Sequence, residues 1–455
     1  MFSDNYTEAK LSLNNRQLNM LETQKSLEKG LDLLGLTGVE DKLQDNVKET
    51  LESLRNAGIK VWMLTGDKIE TAISIAKSSK LLDKLDTYLI ISGATTETEI
   101  RDKIDMLKTG KYNSLVIDGV SLRVVLDKTN NVKTKKGDDK NYLLEAFIEN
   151  TKDLSAVIGC RYTPTQKAMM ASALKNIAGE TVMCIGDGGN DVSMITEADT
   201  GIGIEGKEGN QAALSADFSL KKFCHVTELM FVHGRNCYVK SAELAKITLR
   251  RSFLTTITQA VFSALINCVP LSIFQGYMAS FFILFTCFPI LTLYHGNDIK
   301  KDLLMRYPEL YKECRINRLC SIKEFIQATL IAYLQATVMT IGFMYLLKKD
   351  KEMHFYSVIL FTSAVINEYV TVLLFENKPK VSTILVILAS ILGYGVCAHF
   401  FKEFHIGVKQ LLYFTPQILL INFGMSLIEI FRKLYARWLN PASHIKISKF
   451  NADKY

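Results

Sequence analysis

No two of the nine cysteines are spaced as C-x-x-C, and they form no evenly spaced framework, which excludes a disulfide-stapled scaffold. The thiols read instead as reduced, buried and inert in a soluble part that faces the cytosol. The opening stretch MFSDNYTEAKLSLNNRQLNM has no apolar core, so no secretory signal stands there and membrane insertion must depend on a later segment. A strong excess of one charge is also missing. The net charge is only +7, and the basic residues flank apolar runs. That placement reads as membrane orientation, and no nucleic-acid partner is expected.

At 455 residues the chain is too long for one ordinary core. Hydrophobic residues make up 48% and charged residues 22%, unevenly divided: the first half is highly charged and the second holds long apolar runs. A soluble domain followed by a membrane domain is the expectation.

Residues 1–30 read as a polar lead-in, weakly helical and without a strand. From residue 31, helix and strand patterns alternate. QDNVKETLESLRNAG predicts a helix with Asp45 as N-cap and Gly58 as stop, and IKVWML predicts a buried strand ending at Thr65-Gly66-Asp67. KIETAISIAKSS resumes helical spacing, YLIISG and SLVIDG are strand-like, and residues 130–141 read as a solvated loop. LSAVIGC predicts a strand. TPTQKAMMASALKNIAG predicts a helix capped by Thr163 with Pro164 in its first turn, and DTGIGI predicts another strand. Alternation of this kind implies a parallel sheet with helices on both faces and functional loops at the carboxyl ends of the strands.

Six apolar segments follow, at 252–274, 277–295, 325–347, 355–375, 381–401 and 410–431. Each is near the roughly 20 residues that cross a hydrocarbon core. Arg250 and Arg251 precede the first, Lys300, Lys301, Arg306, Lys312, Arg315 and Arg318 lie between the second and third, and Arg432, Lys433 and Arg437 follow the sixth. Those loops and both chain ends are expected in the cytosol. Lys348, Lys349 and Lys351, in a loop that would lie outside, argue the other way.

The chemistry concentrates in TVMCIGDGGNDVSMI, residues 181–195. Mg²⁺ takes hard oxygen ligands and is held by one or two carboxylates, with phosphate oxygens and water completing the octahedron. Asp187 and Asp191 suit that role, with Gly186, Gly188 and Gly189 expected to let the backbone turn tightly without Cβ clashes and Asn190 able to donate to a phosphate oxygen or hold the loop. Thr65-Gly66-Asp67 adds a hydroxyl and a backbone N–H at a neighbouring strand end. Lys167 adds a cation near a helix amino end, with Arg161 close by in sequence. Each alone matches an ordinary surface turn or a solvated helix residue. In that order they describe a phosphoryl-transfer site built on positioning and charge neutralisation.

The ordered set GIKVWMLTGDKIETAISIA, VIDGVSL, CRYTPTQKA, GDGGNDVSMI, EGNQAALSADFSL and VHGRNCY resembles the type-4 P-type ATPases, the phospholipid flippases, over residues ~30 to 435. Gly189 stands where many of them have alanine, and Arg250-Arg251 where many have an aromatic-lysine-asparagine run. Both departures resemble the divergent endosomal and Golgi branch. The resemblance implies an α/β haloacid-dehalogenase-like (Rossmann-like) phosphorylation domain at 31–240, an all-α domain of six membrane helices at 241–435 and a cytosolic tail at 436–455. It implies ATP and Mg²⁺ as cofactors, Asp187 and Asp191 as metal ligands, and Thr65, Gly66 and Asp67 as the loop touching nucleotide or phosphoryl oxygens. Lys167 would neutralise a phosphorylated aspartate, with Arg161, Asn190 and Asp191 lining the same pocket. It further implies ATP-driven phospholipid translocation in a Golgi, endosomal or plasma membrane, and leaves a helper subunit open.

The family's nucleophile, an aspartate in D-K-T-G-T ahead of the Thr-Gly-Asp loop, is missing. Asp127-Lys128-Thr129 is a decoy: it follows that loop instead of preceding it, Asn130 replaces the glycine that wraps a phosphate, and it sits beside the polar insertion. The family's nucleotide-binding and actuator domains and first four spans have no counterpart either. The expectation is therefore the carboxyl-terminal portion of a flippase, cut by an artificial boundary or a split gene, without ATPase turnover of its own. A catalytically silent membrane protein keeping the fold, and a cation-transporting relative, are the alternatives. The first two apolar segments disfavour the cation pump, because between them they carry Thr255, Thr256, Thr258, Gln259, Ser263, Asn267 and Thr286 but no charged residue. Such neutral groups suit a lipid headgroup, although each also serves to bond neighbouring helices. Pro270 and Pro289 are expected to kink or end these spans, and Glu368 is the one acidic residue well inside a segment.

Overall fold

Strand-forming residues in short apolar runs, each closed by glycine or a polar turn, build the soluble part. The computed structural model describes residues 2–12, 15–32, 34–35, 42–83, 85–127, 131–133, 139–206, 209–266, 272–274, 278–292, 299–346, 353–375, 381–400 and 408–439. Residues 1–43 form one unit and 44–455 another. The first holds helices α1 (Phe2–Leu11) and α2 (Arg16–Leu27), with Phe2 stacked on Tyr6.

The second unit begins with α3 (Val47–Asn56), β1 (Val61–Leu64), α4 (Ile69–Ser78), β2 (Tyr88–Ile91), α5 (Glu97–Lys108), β3 (Ser114–Asp118) and α6 (Gly119–Leu126). A short antiparallel hairpin, β4 (Asn131–Lys133) and β5 (Asp139–Asn141), occupies the stretch expected to be loop, and leads into α7 (Tyr142–Thr151). Then come β6 (Ala156–Cys160), α8 (Pro164–Asn176), β7 (Met183–Gly186), α9 (Val192–Glu197), β8 (Thr200–Ile204), α10 (Gln211–Ser215) and β9 (Phe218–Leu220). Apart from the hairpin, every strand pairs parallel, in a four-stranded sheet ordered β1-β6-β3-β2 and a three-stranded sheet ordered β7-β8-β9.

Helices do cover both faces of the larger sheet, as strand alternation requires. Leu115 and Ile117 of β3 pack with Ile100, Leu122, Phe147 and Met170 on one face, while Val116 packs with Ala72, Ala76 and Leu82 on the other. Gly58 takes φ +82° after α3, the left-handed stop that glycine accommodates. The expected cap Asp45 is not the cap. Asn46 holds that position at φ 61° with no side-chain bond, and Asp45 faces Lys222 at 3.6 Å.

Short α11 (His225–Glu228) and a π-helical turn (Leu229–Gly234) lead into α12 (Arg235–Leu265), unbroken for 31 residues. The remaining helices are α13 (Met278–Thr292), α14 (Lys301–Arg306), α15 (Lys312–Arg315), α16 (Ile322–Leu346), α17 (Met353–Phe375), α18 (Val381–Phe400) and α19 (Val408–Leu439). Each of the six apolar segments thus contains helix. Among the described residues, three stretches, Ile322–Tyr345, Phe355–Phe375 and Tyr413–Tyr435, are long and apolar enough to cross a membrane, and Met278–Thr292 and Val381–Cys397 are shorter apolar helices. Pro289 lies inside α13, which ends three residues later. Pro270 and Asn267 lie outside the described residues.

Candidate phosphoryl-transfer site

The loops at the carboxyl ends of β1, β6 and β7 carry the motif residues. Past β1, the Thr65 hydroxyl donates to Asp67 Oδ2 at 2.8 Å and accepts from the Asp67 N–H at 3.2 Å. The Arg161 N–H donates to the Asp67 carbonyl at 2.9 Å and the Tyr162 N–H to the Thr65 carbonyl at 3.0 Å. The Thr-Gly-Asp loop is therefore laced by its backbone to the turn after β6. Arg161 makes that turn at φ 52° with its side chain exposed.

Thr163 and Gln166 then close a capping box on α8, with Pro164 in the first turn. Gln166 also donates to the Gly119 carbonyl at 2.7 Å, tying the start of α8 to the start of α6. The capping box went unread in the sequence, although a glutamine three residues past Thr163 signals it. Lys167, one residue on, is buried, and its ammonium meets Asp191 Oδ1 at 2.8 Å. The two side chains are only 10% and 14% exposed. The Ser193 hydroxyl donates to the Pro164 carbonyl at 3.1 Å, a second tie between the same two loops.

The backbone does turn tightly here, with the Asp191 N–H donating to the Gly188 carbonyl at 3.0 Å, and none of Gly186, Gly188 and Gly189 needs a positive φ to do so. A Cβ on Gly186 would lie 2.3 Å from the Asp191 Cβ, so the bare glycine lets that carboxylate fold back over the end of β7. At Gly189 the same space holds the Gln211 amide oxygen, 2.4 Å from where a Cβ would sit.

Asp187 and Asn190 are exposed, and neither side chain has a hydrogen bond or ion pair among the described residues. The donor set is then a free carboxylate, a second carboxylate steadied by Lys167, and backbone. That fits Mg²⁺ completed by phosphate and water, and no group of three metal-type side chains occurs among the described residues. Behind the loops, burial pushes the Cys160 thiol up to about 11 and the Cys184 thiol up to about 12, so neither is a thiolate nucleophile at neutral pH. Asp127 ends α6, its carbonyl accepting from the Asn141 side chain at 3.1 Å, while Lys128 and Thr129 lie outside the described residues.

Residues 213–442 match the family model described as "Phospholipid-translocating P-type ATPase C-terminal". The chain belongs to the phospholipid-translocating P-type ATPases. Residues 165–216 also match the haloacid dehalogenase-like hydrolase model, over the lysine helix and the aspartate loop. Among curated relatives, "Phospholipid-transporting ATPase neo1" of Schizosaccharomyces pombe is 36% identical over 98% of this chain and 42% of its own length. "Phospholipid-transporting ATPase NEO1" of Saccharomyces cerevisiae is 39% identical over 99% of the chain and 38% of its own length. The human "Probable phospholipid-transporting ATPase IIB" is 41% identical over 82% of the chain and 31% of its length. The chain spans roughly a third to two fifths of these relatives.

In this P-type ATPase chain, most of the neutral polar residues of the first two apolar segments bond to their own helices. Thr255 donates to the Arg251 and Ser252 carbonyls, Thr256 to Ser252 and Thr286 to Phe282. Gln259 donates to Ser263 at 3.0 Å and accepts from the Ile273 N–H at 2.8 Å. Thr258 is buried, its hydroxyl without a partner among the described residues. Arg250 departs from its expected role as a cytosolic flank: it is 3% exposed and donates twice to Gln335 Oε1, at 3.1 and 2.7 Å. The sequence placed it beside an apolar segment, and only packing against α16 shows that it lies inside the bundle.

Proposed function

We propose that this chain supplies the phosphate-binding side of an aspartyl-phosphate site and six membrane spans to a protein that moves phospholipid across a membrane at the expense of ATP. The observation that supports it most is the Lys167–Asp191 pair at 2.8 Å, held at the strand ends where the Thr65–Asp67 loop also lies, in a chain of this family. Lys167, steadied by Asp191 at the first turn of α8, neutralises phosphoryl oxygens, and the N-terminus of that helix favours the same charge. Thr65 and Gly66 offer a hydroxyl and a backbone N–H to nucleotide or phosphoryl oxygens, with Asp67 orienting the hydroxyl. Arg161 and Asn190 are exposed donors at the rim. Asp187 and Asp191 would hold Mg²⁺, which when bound offsets phosphoryl charge.

The nucleophile comes from sequence outside this chain. β1 and β7 each end a sheet, and their residues share apolar clusters: Val61 with Met183 and Ile185, and Leu64 with Cys184 and Met194. Two open parallel edges on a common core provide the place for a further strand carrying the aspartate. The six spans are the apolar parts of α12, α13, α16, α17, α18 and α19, with the sheets and both chain ends in the cytosol. The membrane is that of the Golgi, endosome or cell surface. Its partners are the bilayer, a phospholipid substrate and, where one is used, a helper subunit.

Incubation with ATP labelled at the γ-phosphate tests this. The chain alone is expected to form no acid-stable phosphoprotein, whereas the full-length protein forms one that drops at least tenfold on Asp187→Asn. Acid-stable labelling of the chain alone that disappears on Asp127→Asn would overturn the reading.

A further inference from the structure

One thin polar layer crosses the helix bundle and is incompletely paired. On its cytosolic side lies an apolar cluster of Ile247 (α12), Ile290 (α13) and Val372 (α17). On the other lies the large cluster that includes Leu254, Phe282, Phe361 and Val365. Between them sit Arg250 and Arg251 of α12 and Glu368 of α17. Arg251 is accounted for by Thr286 Oγ1 at 3.1 Å. Arg250 directs its Nε and one terminal nitrogen at Gln335 Oε1, and its other terminal nitrogen, Nη1, is buried without a partner among the described residues. Glu368 is 1% exposed, and neither carboxylate oxygen has a partner among the described residues.

A buried carboxylate without a partner, at the same level of the bundle as a half-used guanidinium, is costly unless the two meet at some stage. Gln335 is fixed independently, since its amide donates to the Met425 carbonyl of α19 at 3.0 Å. Any exchange of partners therefore moves the guanidinium and leaves the glutamine in place. The guanidinium rides on α12, which runs without a break from Arg235, and Arg235 is itself bonded in the cytosolic part to the Leu310 carbonyl at 2.9 Å and to Glu313 at 3.6 Å.

We propose that Arg250 and Glu368 are a positioning pair with two settings: Arg250 on Gln335 as described here, and Arg250 on Glu368 after α12 shifts against α17. The exchange reads movement of the phosphoryl-binding sheets into the membrane helices. This rests on the phosphoryl-transfer reading above, in that ATP must drive the shift.

The test uses the full-length protein in lipid vesicles, with three readouts: phosphoprotein formation from ATP, lipid-stimulated ATP turnover and thermal unfolding. Glu368→Gln, close to isosteric, is expected to keep phosphoprotein formation and melting near wild type while lowering turnover at least tenfold. Glu368→Asp should recover at least a third of turnover. The double reversal Arg250→Glu with Glu368→Arg should exceed both single reversals. Wild-type turnover in Glu368→Gln overturns the pair. So does a double reversal no better than the worse single, or a Glu368→Gln protein that loses turnover only in proportion to lost folding. Absence of phosphoprotein in the unsubstituted protein would instead sink the phosphoryl-transfer reading, so the two failures are distinguishable.

Discussion

Lys167 and Asp191 are the residue-scale centre of the site, because each is nine-tenths or nearly so removed from solvent and each is the other's charged partner. Breaking a buried pair from one side leaves an uncompensated charge and costs about 3 kcal/mol. Lys167→Met should therefore lower the unfolding free energy by about that amount in denaturant titration, and in the full-length protein abolish phosphoprotein formation. Lys167→Arg keeps the charge on a longer, planar group. It should retain most of the stability while losing at least tenfold in phosphoprotein formation, which separates the structural from the chemical part of the lysine's work. At this scale residue types and order were legible in the sequence, since hard oxygens and a cation in short polar turns define the chemistry wherever they sit. That Gly186 spares a Cβ clash was legible too, whereas the partner it makes room for, the Asp191 Cβ, is shown by no spacing rule.

At the scale of elements, α8 presents the lysine, and its first turn is fixed by the Thr163–Gln166 capping box and by Gln166 reaching the Gly119 carbonyl. Thr163→Ala should cost about 1 kcal/mol. Amide exchange in the first turn of α8 should quicken about fivefold, from 1.4 kcal/mol per tenfold, with the rest of the helix less affected. Periodicity and turn residues marked the strands and helices here because local packing agreed with them: the β3 alternation and the Gly58 stop are short-range features. They failed where two neighbours compete. Asp45 and Asn46 are both good cap residues, and asparagine also tolerates the left-handed backbone that position takes. In the charged stretch, Asn131–Lys133 and Asp139–Asn141 pair as antiparallel strands because backbone pairing does not require apolar side chains.

For the whole molecule, the two sheets and the helix bundle are joined through α12 and the segment between α13 and α16. Arg315 bonds the Gly58 carbonyl, Lys301 pairs with Glu228, and Tyr311 packs on Phe231. Cys237, exposed near the start of α12, reports orientation. In sealed vesicles a membrane-impermeant maleimide should label it only when the face bearing the sheets is outside, and Cys237→Ser should remove that label. Equal labelling from both faces would contradict the proposed orientation. The sequence by itself determined the parallel α/β class, the apolar segments and the residue types proposed to hold phosphate, because periodicity, turn chemistry and ligand hardness are properties of neighbours along the chain. Only the tertiary structure decided that the strands form two sheets with open edges at β1 and β7, that Lys167 meets Asp191 across 24 positions, and that Arg250 turns inward to Gln335 across 85. Those outcomes depend on which surfaces pack together, and burial then sets the strength of each charge they enclose.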